Sequence, residues 1–162
     1  CEHVLRVGSN EVGIFRINGN NRRVEQLQSE FNKDPRLNTI NSKVYSVHDV
    51  AGVLTRFLKN LPNPLIPSHL YDPLRFAWIF MESDSDILEA FINCLSRLPY
   101  SNRHLLVYIL NFLNQLSLSE TKTQMGISNL SSIFQPSILT HSQHQLEPKE
   151  YLISQKVVEF MI

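Results

Sequence analysis

Apolar residues recur at three- and four-residue spacing along most of the chain, a pattern typical of amphipathic helices. The clearest case begins at Ser46, which forms a variant of the helix-starting capping box with Asp49 three residues later. The apolar stripe that follows consists of Val50, Val53, Leu54, Phe57, Leu58 and Leu61. On a helical wheel Gly52, Thr55 and Lys59 lie opposite this stripe, so we expect them to point away from the core.

Caps and prolines divide the rest of the chain into further predicted helices. One begins after Asn20 or Asn21 and ends at Pro35. Others are predicted over 70–80, from Asp84 or Ser85 to about Leu98, and over 105–116, 121–133 and 148–162. In the helix that starts near Asp84, the residues expected to face inward are Ile87, Leu88, Phe91, Ile92 and Leu95. Prolines at 62, 64 and 67 predict an extended connection, because proline fixes φ and disfavours helix at the residue before it.

Two stretches depart from this amphipathic pattern. Residues 105–116 are apolar on nearly all sides, which predicts a helix at the centre of a bundle. Residues 37–46 are polar with little periodicity, which predicts a loop. The pattern as a whole indicates an all-α, single-domain bundle of several helices.

Composition narrows the function classes. The 162 residues, 43% of them hydrophobic, are enough for one compact domain, and we treat 1–162 as that domain, trimmed at both ends from a longer protein. Fifteen basic and fifteen acidic residues give zero net charge, which disfavours non-specific binding to nucleic acid. No apolar stretch approaches the roughly 20 residues of a membrane-spanning helix. The two cysteines, Cys1 and Cys94, indicate a reducing, intracellular environment.

Sequence signatures of self-contained enzymes are missing. The chain has no GxxxxGK[ST], GxGxxG, GxSxG or HExxH motif, so nucleotide hydrolysis in cis and common hydrolase chemistries have no visible apparatus. His141 and His144 lie in a Ser/Gln-rich segment without further ligands, and we expect surface histidines rather than a metal site. Cys94 lies among apolar residues and is expected to be a small buried hydrophobe, not a reactive thiol.

The segment GIFRING, residues 13–19, is the most informative in the chain. Arg16 lies among Ile14, Phe15 and Ile17, which favour burial, while glycines at both ends allow the backbone to turn sharply. Such a loop presents its one charged side chain at a defined place. The alternative is an arginine that extends along the surface or pairs within the domain.

Four segments resemble the signature motifs of Rho-family GTPase-activating (RhoGAP) domains. Residues 13–19 are similar to the family's G-I-F-R-x-S-G. The second segment, 47–66, contains VHDVA at 47–51 and FLKNLPNPLI at 57–66 and resembles the family's V-H-D-V-A … F-L-R-E-L-P-E-P-L. LPYSNRHLL at 98–106 and NLSSIFQP at 129–136 resemble L-P-x-x-N-R-x-L-L and N-L-A-x-V-F-x-P. The motifs follow the family's order, and the later part of the chain looks especially like fungal members.

The resemblance implies a RhoGAP-type helical bundle that binds a GTP-loaded Rho-family GTPase. Arg16 would be the catalytic arginine finger, inserted into the partner to accelerate GTP hydrolysis and switch signalling off. The partner-binding residues implied are Lys59, Asn129, Arg56, Thr55 and Thr123. The domain would need no cofactor or metal of its own, because the GTPase holds GTP and Mg²⁺. We further expect a monomer without nucleic-acid partner or membrane insertion, in the cytoplasm or recruited to the cell cortex or inner membrane surface by flanking regions or the partner.

The chain also departs from the family pattern. Thr55 stands where lysine is usual, Lys59 replaces an arginine, and Thr123 stands where many members have asparagine. For Asn129, a partner contact, a brace for the finger loop and a helix cap all remain open. The alternative function is a non-catalytic GTPase-binding or scaffolding module, which would be expected to lack Arg16.

Overall fold

The computed structural model describes residues 1–34, 39–140 and 147–162. After a π-helical turn, Val4–Gly8, the chain in these ranges forms a series of α-helices. The helices are α1 (Asn21–Lys33), α2 (Val47–Lys59), α3 (Tyr71–Phe80), α4 (Asp84–Leu95), α5 (Tyr100–Ser117), α6 (Glu120–Thr123), α7 (Ile127–Ile138) and α8 (Pro148–Met161). A 3₁₀ turn, Ser68–Leu70, precedes α3. No β-strand forms in these ranges, so the predicted all-α bundle is confirmed.

The predicted caps start the first two helices. The side chain of Asn20 accepts the backbone N–H of Arg23 at 3.3 Å. Ser46 Oγ accepts the N–H of Asp49 at 3.2 Å, and the Asp49 carboxylate accepts the N–H of Ser46 at 2.8 Å. These bonds satisfy N–H groups that the first turn of a helix leaves unpaired. Pro35, the predicted stop of α1, lies outside the described residues.

One prediction about the faces of α2 is wrong. Gly52 does not point away from the core, because α1 packs on that side of the helix. A Cβ at Gly52 would lie 3.0 Å from Val24 Cγ2, so the missing side chain permits close approach of the two helices. Thr55 is half-buried on the same face, and Lys59 is exposed as predicted. Phe57, expected in the core, is 50% exposed.

The proline-rich connection after α2 is non-helical as predicted, but it bends at 61–63 and 65 instead of being extended throughout, and it docks on the end of α7. Leu65 N–H donates to the carbonyl of Ser137 at 3.1 Å, and Ile66 N–H donates to that of Ile138 at 2.9 Å. The amide of Asn102 on α5 donates to the carbonyl of Leu65 at 3.0 Å. The connection thus supplies donors to carbonyls that the end of a helix leaves unpaired.

Apolar side chains of α4 and α5 are more exposed to solvent than the sequence pattern predicts. Leu88 and Ile92, expected to face inward, are 53% and 59% exposed. On α5, Val107 and Tyr108 face solvent while the opposite side is buried. The buried residues of α5 are Leu106, Ile109, Phe112, Leu113, Leu116 and Ser117. Helix α5 therefore contributes a large part of the core but is not enclosed on all sides.

The helix predicted over 121–133 is in fact two helices. Gln124 adopts a left-handed backbone with φ of 56°, which ends α6 after Thr123. The chain resumes helical geometry only at Ile127, the first residue of α7. The break matters because it places the carbonyl of Thr123 at the functional site described below.

Helix α7 also continues through Pro136 rather than ending there. Proline lacks an N–H group. The carbonyl of Ser132, four residues earlier, therefore does not receive its usual helical hydrogen bond. The hydroxyl of Tyr151 on α8 donates to this carbonyl at 3.2 Å. A contact between helices thus replaces the bond that proline removes.

A buried ion pair joins α3 to α8. The carboxylate of Glu150 accepts two hydrogen bonds of 2.5 Å from the Arg75 guanidinium and one of 3.0 Å from the Tyr71 hydroxyl. The Glu150 side chain is 9% exposed, and that of Arg75 is 33% exposed. A carboxylate removed from water in this way depends on its partners to offset the loss of hydration.

Replacing one partner of this pair should destabilise the fold. Glu150→Ala removes the carboxylate that accepts both hydrogen bonds of the Arg75 guanidinium, and should lower the free energy of unfolding by about 3 kcal/mol. Lys156→Ala is the control, because Lys156 pairs with Glu159 at an exposed position and should cost under about 0.5 kcal/mol. Urea denaturation measures both values, and equal losses would contradict the structural role of the Glu150 pair.

Candidate functional site

The segment 13–19 forms a tight loop between the first turn of the chain and α1. Gly13 and Phe15 have left-handed backbones, with φ of 70° and 68°. The N–H groups of Arg16 and Ile17 both donate to the carbonyl of Gly13, at 2.9 and 2.8 Å. These internal bonds fix the reversal of the chain at which Arg16 lies.

The start of the loop is fixed to α6 through the backbone. Gly13 N–H donates to the carbonyl of Thr123 at 2.7 Å. A Cβ at position 13 would lie 2.9 Å from Ile17 Cδ1, in a backbone region that other residues rarely adopt. Both observations explain why the loop begins with glycine.

The first half of the loop is buried and the second half is mostly exposed. Ile14 is fully buried, and Phe15 is 8% exposed with its ring edge-on to Phe112 and Phe134 at centroid distances of 5.9 and 5.0 Å. Ile17, expected to be a third apolar anchor, is instead 50% exposed. The loop is thus held in the core at its first half only.

A buried carboxylate holds the second end of the loop. The side chain of Asp49 is fully buried and accepts the N–H of Asn20 at 2.7 Å and the Arg23 Nε at 2.7 Å. Gly19 lies so close that a Cβ there would be 2.6 Å from Asp49 Oδ1. The sequence marks Asp49 only as a capping residue, because its partner Asn20 is 29 positions away.

The electrostatics of Asp49 favour its charged form. Burial alone raises the pKa of this carboxyl, but hydrogen bonds from Arg23, Ser46 and Asn20 outweigh burial and lower the pKa to about 2. Asp49 is therefore ionised at neutral pH, with donors from α1, from the loop end and from the start of α2.

Arg16 itself faces solvent. Its side chain is exposed, and it forms no hydrogen bond or ion pair with any residue that the structure describes. This geometry does not support the alternative of an internally paired arginine. The guanidinium remains available on a loop whose two ends are held by hydrogen bonds.

A groove beside the loop brings further predicted residues together. It is lined by Asn18, Gly19, Asn21, Val24, Gly52, Thr55, Arg56, Lys59 and Asn60. Its volume of about 250 Å³ is below the roughly 300–1,000 Å³ typical of small-molecule pockets. An open groove of this size suits side chains of a protein partner better than an enclosed ligand.

The side chains of Arg56, Thr55 and Lys59 in this groove are not equally free to contact a partner. Arg56 Nη1 lies 3.6 Å from Glu25 Oε1, and the Thr55 hydroxyl donates to carbonyls of the preceding turn. Lys59 is exposed and forms no ion pair among the described residues. Of the three predicted contact residues on α2, Lys59 therefore offers the free charge.

The predicted residues near α6 and α7 take different roles. Thr123 is fully buried, and its hydroxyl donates to the carbonyl of Ser119 at 3.0 Å, so the expectation that it contacts a partner is corrected. Asn129 is exposed, and its amide donates to the carbonyl of Gln124 at 3.2 Å. Asn129 thus braces the left-handed turn that carries the Thr123 carbonyl, and a partner contact stays a prediction.

Groups that suggested other chemistry lie elsewhere. Among the described residues no cluster of histidine, cysteine and carboxylate side chains could hold a metal ion, and His141 and His144 lie outside those residues. Cys94 is buried as predicted, and burial raises the pKa of its thiol. Across residues 1–34, 39–140 and 147–162, no helix has the length and apolar character needed to cross a bilayer.

Comparisons with known proteins identify similar domains. The family model described as the RhoGAP domain matches residues 1–143. The chain is 39% identical over 159 residues to Rho-GTPase-activating protein BAG7 of Saccharomyces cerevisiae, covering 93% of the chain and 38% of that protein. It is 34% identical over 165 residues to Rho-GTPase-activating protein 5 of Schizosaccharomyces pombe, covering 100% of the chain and 46% of that protein. The chain spans less than half the length of these two relatives.

A solved structure gives the same result for the fold. The crystal structure of human Rho GTPase activating protein 15 superposes with a TM-score of 0.87 at 25% identity, over 99% of this chain and 76% of that one. Sequence and fold comparisons therefore agree on the family to which the motifs pointed.

The hydrogen-bonded carboxylate of Asp49 should make the stability of the fold depend on pH in the acidic range. Its folded pKa of about 2 is below the value of about 3.9 for an unfolded aspartate, so the ionised form stabilises the fold above pH 4. This contribution, on the order of 2 kcal/mol, should be lost as pH falls from about 4 to 2.

Urea unfolding of wild type and Asp49→Asn between pH 2 and 7 measures this loss. The wild type should be the more stable at neutral pH, and its advantage should shrink through the window from pH 4 to 2. A difference that stays constant with pH would show that the ionisation of Asp49 does not stabilise the fold.

Proposed function

The chain belongs to the RhoGAP family, and from this premise we propose that it binds a GTP-loaded Rho-family GTPase and accelerates GTP hydrolysis through Arg16. The observation that carries the proposal is an exposed guanidinium without an internal partner, on a loop held at both ends. Acceleration would switch the signalling of the GTPase off. The domain acts in this scheme as an activator in trans rather than as an enzyme.

The chemistry of the reaction explains the choice of arginine. During hydrolysis negative charge shifts onto oxygens around the γ-phosphate, and a guanidinium delivered to a water-excluded site stabilises the transition state more than the ground state. The planar guanidinium group of arginine stays charged and donates hydrogen bonds to two oxygens at once. An arginine supplied in this way is worth about 10³–10⁵ in rate, or roughly 4–7 kcal/mol of barrier.

Rigidity of the loop is as important as charge. A flexible arginine would lose side-chain and backbone entropy on entering the partner, which reduces the net stabilisation of the transition state. In this chain the reversal at Phe15 is buried in the core and the loop ends are bonded to Thr123 and Asp49. Much of the ordering has therefore occurred before the partner binds.

Residues beside the loop would bind the partner rather than take part in the reaction. Lys59 offers a free charge to acidic or carbonyl groups, while Arg56 would first have to leave Glu25. Asn129 is exposed at the start of α7, where it braces the loop indirectly and is open to a partner. Thr55 presents only its methyl group, because its hydroxyl is bonded within α2.

GTP and Mg²⁺ belong to the partner in this proposal, and the domain contributes no cofactor. We propose that it acts as a monomer in the cytoplasm, with recruitment to the cell cortex through flanking regions or the bound GTPase. A non-catalytic binding module is the alternative, and Arg16 argues against it. A panel of Rho-family GTPases, assayed for hydrolysis with and without the domain, tests the proposal directly.

Arg16→Ala gives the sharpest test of the finger. The variant should remain folded because Ile14 and Phe15, not the guanidinium, hold the loop in the core. With saturating domain in a single-turnover assay, hydrolysis should fall by about 10²–10⁵-fold, while the affinity for the GTP-loaded partner changes by no more than about tenfold. Arg16→Lys should rescue little, because an ammonium lacks the planar fork.

Arg22→Ala is the matched control, since Arg22 is also exposed but lies on α1 beyond the loop. It should keep the full hydrolysis rate at saturation. Near-normal hydrolysis by Arg16→Ala would instead favour the non-catalytic binding module.

Lys59→Glu should weaken association, most strongly at low salt. Reversal of an exposed charge slows electrostatically steered encounter, and added salt screens the effect. Association rates of the GTP-loaded partner at low and physiological ionic strength measure this dependence. Lys33→Glu reverses an equal charge at the other end of α1, about 18 Å from Asn21, and should have little effect. Equal rates for both variants at low salt would remove Lys59 from the interface.

A further inference from the structure

The two ends of the Arg16 loop are fixed by different means. At its start Gly13 bonds to the backbone of α6, and Ile14 and Phe15 are buried. After Arg16 the chain has no apolar anchor, because Ile17 is half exposed and the next residue is exposed too. Ile17 N–H bonds only within the loop, to the carbonyl of Gly13. The first hydrogen bond from this side to a described residue outside the loop is that of the Asn20 N–H, which donates to the Asp49 carboxylate at 2.7 Å.

Asp49 is suited to this contact because it is held from other directions as well. One oxygen accepts Arg23 Nε at 2.7 Å and the Ser46 N–H at 2.8 Å, while the other accepts the N–H of Asn20. Charge-assisted bonds of this kind are roughly twice as strong as those between neutral groups. The carboxylate therefore joins the loop end and α1 to the first turn of α2.

The backbone approaches Asp49 more closely than a side chain would permit. A Cβ at Gly19 would lie 2.6 Å from Asp49 Oδ1 and 2.7 Å from its backbone N and Cα. The φ of Gly19 does not lie in the left-handed region, so close packing rather than backbone strain explains this glycine. The loop end thus rests directly on the start of α2.

We infer that Asp49 is a positioning residue for Arg16: its buried carboxylate fixes the second end of the loop and so sets where the guanidinium enters the partner. This inference rests on the proposed function. Displacement of a reacting group by about 1 Å is enough to reduce a rate by about 10²-fold, even when binding is preserved. Loss of the Asp49 contact should therefore lower the maximal rate more than the affinity.

Two variants remove the contact in different ways. Asp49→Asn removes the charge and places an amide donor against existing donors. Gly19→Ala leaves the carboxylate and the cap of α2 intact but pushes the loop away from them. Ser46→Ala is the matched control, because it removes one hydrogen bond of the same capping box and leaves the bonds from Asn20 and Arg23 to Asp49 in place.

The experiment is single-turnover GTP hydrolysis by a Rho-family GTPase that the wild-type domain accelerates, over a range of domain concentrations. It is run well below the unfolding temperature measured for each variant. Asp49→Asn and Gly19→Ala should lower the rate at saturation by about tenfold or more, with a change below about threefold in the half-saturating concentration. Ser46→Ala should keep the saturating rate within about twofold, although it destabilises the fold.

A wild-type saturating rate in either of the two test variants would overturn the inference, as would an equal loss in Ser46→Ala. Gly19→Ala alone decides the matter if Asp49→Asn is unfolded at the assay temperature. A wild-type domain that accelerates none of the GTPases tested would refute the proposed function instead, so the two failures are distinguishable.

Discussion

The burial of Phe15 is the constraint on which the rest of the site depends. A left-handed backbone costs a residue with a side chain about 1–2 kcal/mol, whereas burial of a phenylalanine ring returns about 1.5–3 kcal/mol. Edge contacts with Phe112 of α5 and Phe134 of α7 add to that gain. The chain therefore reverses at Phe15, and the reversal directs its neighbour Arg16 to solvent.

Helix α2 connects this loop to the groove beside it. Its first turn holds the loop end through Asp49, and its last residue is the exposed Lys59. Lys59 is ten positions after Asp49 in the sequence, which corresponds to about 15 Å along an α-helix. One rigid element thus relates the position of the proposed finger to the proposed contact charge, while core pairs such as Arg75–Glu150 stabilise the fold on α3 and α8.

The residues that start helices could be predicted from the sequence, but which helix faces are covered by other elements could not. The caps at Asn20 and Ser46 and the start of α8 at Pro148 depend on residues within one turn, and all three are confirmed. The exposure of Leu88 depends on which elements cover α4, which periodicity does not record. The tertiary role of Asp49 was hidden because the sequence pairs it only with Ser46, whereas its contact with the loop end comes from a distant segment.

At the first residue of the loop, the contact with α6 is a hydrogen bond between main-chain atoms. Every residue type carries a carbonyl, so the bond from Gly13 to position 123 does not depend on the side chain there. The Thr123 side chain is buried, and its hydroxyl donates to the carbonyl of Ser119 rather than to the loop. Substitution at this position is therefore limited by the volume and polarity that a buried site accepts, and a different side chain there can leave the first bond of the proposed finger loop in place.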